Sequence, residues 1–144
     1  MWHDADILLR IDDLADKPET REAFLWSRKL FDATEKNGGE EPKEIASDSA
    51  DHIKYGRIAT FFETVGTLAK HGLINENLLY DRWLIYPFWD LFKNTVKADR
   101  KQMNPLIEEN FEWVARRNKK WVDSRISKGP SRKKKSGNGS KKRR

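Results

Sequence analysis

The chain has 144 residues, no cysteine, and 36% charged against 37% hydrophobic residues. That is enough for one domain with one core, and it excludes a disulfide scaffold and a thiolate zinc site. The net charge of +6 is unevenly spread: residues 128–144 hold nine Lys or Arg and no acid, and without them 20 basic residues face 23 acidic ones.

In chain order, Ile7, Leu8, Ile11 and Leu14 keep helical spacing and predict a short amphipathic helix over 6–16. Pro18, Glu19 and Glu22 open a second helix, because proline suits the first turn and acids suit the positive end. Its apolar side is Ala23, Phe24, Leu30 and Phe31, and it fades near Lys36 at Asn37-Gly38-Gly39. A polar loop follows, and Ser47 or Asp48 caps a third helix that runs to His71. On that helix Ile58, Phe61, Phe62, Val65, Leu68 and Ala69 share a face, which Ala59 and Gly66 widen to about half the circumference. A surface helix has a narrower stripe, so neighbours are expected on two sides.

The turn after it is the most fully specified stretch. Gly72 suits the left-handed C′ position, with Leu68 and Leu73 placed for the contact of a Schellman ending. Asn75 can cap the next helix, and Ile74 and Leu79 are spaced as a hydrophobic staple. The pattern predicts a central antiparallel helical hairpin. The fourth helix is expected to kink at Pro87 and continue through Val96. A fifth starts with Asn104 as cap and Pro105 at N1, buries Phe111, Val114, Trp121 and Val122, and frays near Ser127. From Gly129 the residues PSRKKKSGNGSKKRR contain nothing apolar to offset the entropy of ordering. The expectation is one all-α domain of about five helices, 1–127, with a disordered polybasic tail, 128–144.

The segments LLRIDDLADKPETREA, FFETVGTLAKHGLINENLL and the aromatic run through Trp89 to Arg100 together resemble a bacterial helical domain family of unknown function. The resemblance covers roughly residues 6–120. It implies the helical fold and no accepted activity. Members often carry an N-terminal membrane helix; this chain has no apolar run near the ~20 residues of a span, and its acidic start is unlike a signal peptide. A soluble cytoplasmic protein is expected.

Glu63 is the acid of most interest, since it follows two phenylalanines at the rim of the apolar arc. Buried acids are seldom left unpaired, so a structural ion pair is expected. The position matching the family names Arg100 as partner, with Arg82 next and Lys70 as a further choice. As a catalytic group Glu63 is only a weak candidate, for no second acid or His stands beside it in sequence. His3, His52 and His71 have no two-histidine metal spacing, and no phosphate loop or serine elbow is present. No metal and no cofactor are expected. Trp83, Tyr86, Phe88, Trp89 and Phe92 are first of all core candidates, but Phe88 and Trp89 point to neighbouring faces, so part of the cluster is expected to form an interaction surface.

The phosphate-binding candidates are Arg116, Arg117, Lys119, Lys120 and Arg125 on the last helix and Arg132, Lys133, Lys134, Lys135, Lys141, Lys142, Arg143 and Arg144 in the tail. The expected function is a non-enzymatic interaction or regulatory module. It binds an unidentified protein, or a second copy of itself, through the helical surface, and attaches by its tail to RNA or DNA without reading sequence. An enzyme of nuclease or hydrolase type using Glu63, and peripheral attachment to an anionic membrane surface, are the alternatives.

Overall fold

A computed structural model describes residues 3–128 with their side chains; the bounds of the first and last helices run past those limits. Six helices follow in order, with no strand among the described residues: α1 (Trp2–Ala15), α2 (Pro18–Lys36), α3 (Ala50–Lys70), α4 (Glu76–Arg82), α5 (Tyr86–Gln102) and α6 (Glu109–Lys142). The disorder expected for the basic tail concerns residues 129–144, which lie outside the described ones, as do all the tail cations from Arg132 onward.

The wide apolar arc of α3 does find two neighbours, with α6 on one side and α2 on the other. Tyr55, Ile58, Phe61, Phe62 and Val65 are buried along it. Phe62 stacks on Phe111 of α6 with centroids 5.3 Å apart and meets Phe24 of α2 edge-on at 5.9 Å. α5 joins through Phe92, which lies 5.2 Å from Tyr55 and 6.0 Å from Trp26.

The turn after α3 forms as its sequence requires. Gly72 has φ +71°, the Leu73 N–H donates to Leu68 O at 2.8 Å, and the Gly72 N–H donates to Ala69 O at 3.1 Å. Both bonds of a Schellman ending are therefore made, although Leu73 stays 54% exposed. Asn75 Oδ1 accepts the Leu78 N–H at 3.1 Å, and Ile74 and Leu79 are both buried. What differs is the helix beyond. α4 is only seven residues long, and the most extensive partner of α3 is α6 rather than the helix next in sequence.

The expected kink at Pro87 is a break. α4 stops at Arg82, Trp83 is extended, and α5 starts at Tyr86 with Pro87 in its first turn. Proline there costs nothing, since that N–H has no partner within the helix. The freed donors are satisfied from α6. Asn118, fully buried, accepts the Ile85 N–H at 2.8 Å and the Tyr86 N–H at 3.0 Å through Oδ1. Asn104 and Pro105 likewise do not open a helix. Asn104 Oδ1 accepts the Leu106 N–H at 2.8 Å, which closes a turn, and α6 begins only at Glu109 because Glu108 is left-handed at φ 57°. α6 continues through Ser127, where the sequence predicts fraying.

Asn118→Ala should cost about 3 kcal/mol, since two buried N–H groups lose their acceptor. Urea unfolding measures it, and a loss below about 1 kcal/mol would mean that water takes over the cap.

Candidate functional site

One stripe of α3 makes the junction with α6. Glu63, Gly66 and Thr67 are three and four residues apart and share a face. Glu63 Oε1 accepts the backbone N–H groups of Asn110 and Phe111, both at 2.9 Å, and Oε2 accepts an Asn110 side-chain N–H at 2.8 Å. Thr67 Oγ1 accepts from the same amide at 3.1 Å while donating to Glu63 O at 2.8 Å.

The two backbone donors belong to the first turn of α6, which no helix can satisfy internally. The preceding residue normally caps them from extended backbone. Glu108 occupies that place in the left-handed region, and a carboxylate from 47 residues away takes over. Its negative charge also complements the positive end of α6. Gly66 makes the approach possible: a Cβ there would lie 2.2 Å from Asn110 O and 2.7 Å from its carbonyl carbon.

Arg100 ties the connection between α5 and α6. Its Nε donates to Ile107 O at 2.7 Å and its Nη1 to Glu112 Oε1 at 2.9 Å, with the guanidinium 5.8 Å from the centre of the Trp89 ring. Burial raises the Glu112 carboxyl, but the bonds from Arg100 and Arg116 outweigh it and hold the group below its ordinary range.

A further polar layer lies beside this. His52 Nε2 is 3.2 Å from both oxygens of Asp99, and the Tyr55 hydroxyl donates to Asp99 at 3.4 Å. The His52 ring meets Tyr55 edge-on at 5.0 Å. Glu108 Oε2 is buried with no hydrogen-bond partner among the described residues. Burial, then the Glu63 and Asp99 carboxylates, push the Glu108 carboxyl up to about 7 against the opposing pull of Arg100. Burial, then Asp99 and Glu108, push the Tyr55 phenol far up as well.

The ion pair expected for Glu63 is replaced by this cap. Arg100 is bonded to Ile107 and Glu112, Arg82 pairs with Asp12 at 3.3 Å, and Glu63 enters no ion pair among the described residues. The N–H groups of α6 give the carboxylate its compensation instead. Both of its oxygens accept hydrogen bonds from α6.

The aromatic cluster is divided between the core and its partly buried margin. Trp89 and Phe92 are buried, and Trp83, Tyr86 and Phe88 pack against the core. The second face expected to be bare is covered by α2, since Phe88 meets Phe24 at 5.4 Å and Phe31 at 5.2 Å. Of the cations on α6, Arg116 pairs with Glu112, Arg117 with Glu76 (Nη2 to Oε2 at 2.9 Å) and Lys119 with Asp123 at 3.1 Å. Arg125 lies over Trp121 at 4.6 Å, and Lys120 lines a cleft with Trp121 and Tyr80. Sequence reasoning overlooked Asp99, Glu108, Asn110 and Asn118, and it considered His52 only as a metal ligand without a partner. No motif joins them; helix packing sets Asn110 against Glu63, Asp99 against His52 and Asn118 against the start of α5.

A family model described as Domain of unknown function (DUF4760) matches residues 10–121. The chain belongs to that family. The region shared with DUF4760 contains Glu63, Gly66, Asn110 and Asn118, and so both inter-helix caps. No curated protein and no solved structure matches the chain. Among the described residues no helix is long and apolar enough to cross a membrane, and no group of three His, Cys, Asp or Glu is placed to hold a metal ion.

Glu63→Gln keeps one good acceptor and removes the charge, and should cost about 2 kcal/mol; Glu63→Ala, which orphans the N–H pair, should cost more. Thermal melting of the two variants checks the order.

Proposed function

We propose that the chain is a non-enzymatic interaction module. Its helical body engages a protein partner, and its basic tail gives attachment to nucleic acid without reading sequence. The observation that carries this reading is where charge is left uncompensated. Three of the five cations that precede the tail are paired with acids of the body. The tail adds nine more with no acid among them. Such a segment gains affinity for a polyanion by releasing condensed counterions, and needs no recognition fold.

The state of Glu63 favours binding over catalysis. Its Oε1 caps the start of α6 and its Oε2 holds the Asn110 amide, which is a structural use of the carboxylate. For the body, exposed apolar side chains such as Leu9, Leu25, Ile53 and Leu84 offer contact area, and Leu14, Ile53 and Phe61 line a common cleft between α1 and α3. The partner on this surface is another protein or a second copy of this chain. A cytoplasmic setting belongs to the same reading.

The test uses the full chain and a variant in which Arg132, Lys133, Lys134 and Lys135 are all changed to Gln. Affinities for duplex DNA, single-stranded RNA and anionic phospholipid vesicles are measured over a range of salt. The expected result is weaker DNA and RNA binding in the variant, with the slope of log affinity against log salt reduced by roughly 0.9 per lost duplex contact. Equal affinity, or equal slopes, would overturn the role of the tail. Binding confined to vesicles would move the attachment to a membrane surface.

A further inference from the structure

Of the cations between Arg116 and Arg125 on α6, the two that enter no ion pair among the described residues flank one indole. Arg116, Arg117 and Lys119 are each held by an acid. Lys120 and Arg125 are left, and both are exposed. Arg117, Lys120, Trp121 and Arg125 follow at helical spacing and share one broad face. The Arg125 guanidinium lies over the Trp121 ring, 4.6 Å from its centre. Lys120 lines the cleft that Tyr80, Asn75 and Asn77 form with Trp121 between α4 and α6. Its volume, about 520 Å³, is that of a small-ligand cleft.

The indole is fixed in place. Its Nε1–H donates to Asn77 Oδ1 at 3.0 Å, and the Tyr80 ring lies beside it with centroids 6.1 Å apart. Glu76 is the one acid lining the cleft, and it is compensated: Arg117 Nη2 donates to its Oε2 at 2.9 Å and the Tyr80 hydroxyl to its Oε1 at 2.8 Å. An oriented aromatic ring with two free cations at its edge is therefore open to an anion that also carries a flat apolar face.

We propose that this cleft takes one nucleotide of a single-stranded nucleic acid. The base stacks on Trp121 in the place that the Arg125 guanidinium holds, and Arg125 and Lys120 turn to the flanking phosphates. The inference rests on the nucleic-acid attachment proposed above, and adds the strand form and the body residues that grip it. A guanidinium and a base use the same π face, and the released guanidinium pairs well with phosphate. Every base has such a face, so no sequence is read. A duplex keeps its bases stacked on one another and offers phosphates alone. The polybasic segment begins at residue 128, just past Arg125, so the cleft and the tail are adjacent sources of attachment along the chain.

The test measures binding of a short thymidylate strand, an abasic strand of equal length and a duplex at one low salt concentration. It compares the unsubstituted 144-residue chain with Trp121→Leu and Trp121→Phe. Trp121→Leu should weaken thymidylate binding about tenfold and leave the abasic strand and the duplex unchanged, while Trp121→Phe should keep most of the affinity. In an NMR titration of the unsubstituted chain, the Trp121 indole N–H should shift with thymidylate and much less with the abasic strand; this decides the matter even where Trp121→Leu fails to fold. Equal loss for all three ligands in Trp121→Leu, or equal indole shifts with the two strands, would overturn the cleft and leave the role of the tail standing. Binding of none of the three by the unsubstituted chain would overturn both. An indole shift produced by anionic vesicles and not by thymidylate would give the cleft to lipid headgroups and overturn the nucleotide.

Discussion

Two N–H groups at the start of α6 have to be satisfied, and the way this is done sets the rest of the structure. Glu63 can reach them only if the backbones of α3 and α6 nearly touch, and they can touch only where a residue has no side chain. Gly66 is that residue. Thr67 and Asn110 then complete a polar clasp at the edge of an otherwise apolar contact, with Phe62 stacked on Phe111 just inside. A misplaced α6 would orphan the donors and leave a carboxylate half-buried without compensation. The clasp therefore specifies register as well as adding stability.

The same device recurs in the opposite direction. α6, fixed by α3, presents Asn118 to the start of α5. The order of dependence runs α3 to α6 to α5, which is not the order of the chain. It explains how α4 and α5 can be separated at Trp83–Ile85 without leaving buried donors unsatisfied. It also bears on function: side chains that look like chemistry in isolation, an acid in an aromatic setting and an amide in a basic helix, are used to terminate helices.

Local rules made α2 and the Gly72–Asn75 turn legible, because there each residue acts on neighbours within one turn. The two Schellman bonds and the Asn75 cap are of this kind, whereas α3 is capped by Ser49 and not by Ser47 or Asp48. The two misreadings share one cause. At Pro87 and at Asn104-Pro105 the residues are compatible with both a continuing and an interrupted helix, and the choice is made by Asn118 and by Glu108, far away or out of ordinary conformation. The partner of Glu63 was illegible for a related reason. An arginine can be nominated from sequence, whereas a pair of backbone N–H groups cannot. The second face of the aromatic cluster was legible only as an excess; that α2 would cover it depends on tertiary packing.

Gly66 is required by the contact with α6 and not by its own helix. The most direct measurement compares Gly66→Ala with Gly56→Ala by denaturant unfolding, since both glycines lie within α3 and a Cβ on Gly56 meets nothing within 4 Å. Helix propensity alone favours alanine at either site by about 1 kcal/mol. Gly56→Ala should stabilise the protein, while Gly66→Ala should destabilise it by about 2 kcal/mol or more as α6 is pushed off Glu63. Equal stabilisation by the two substitutions would contradict it.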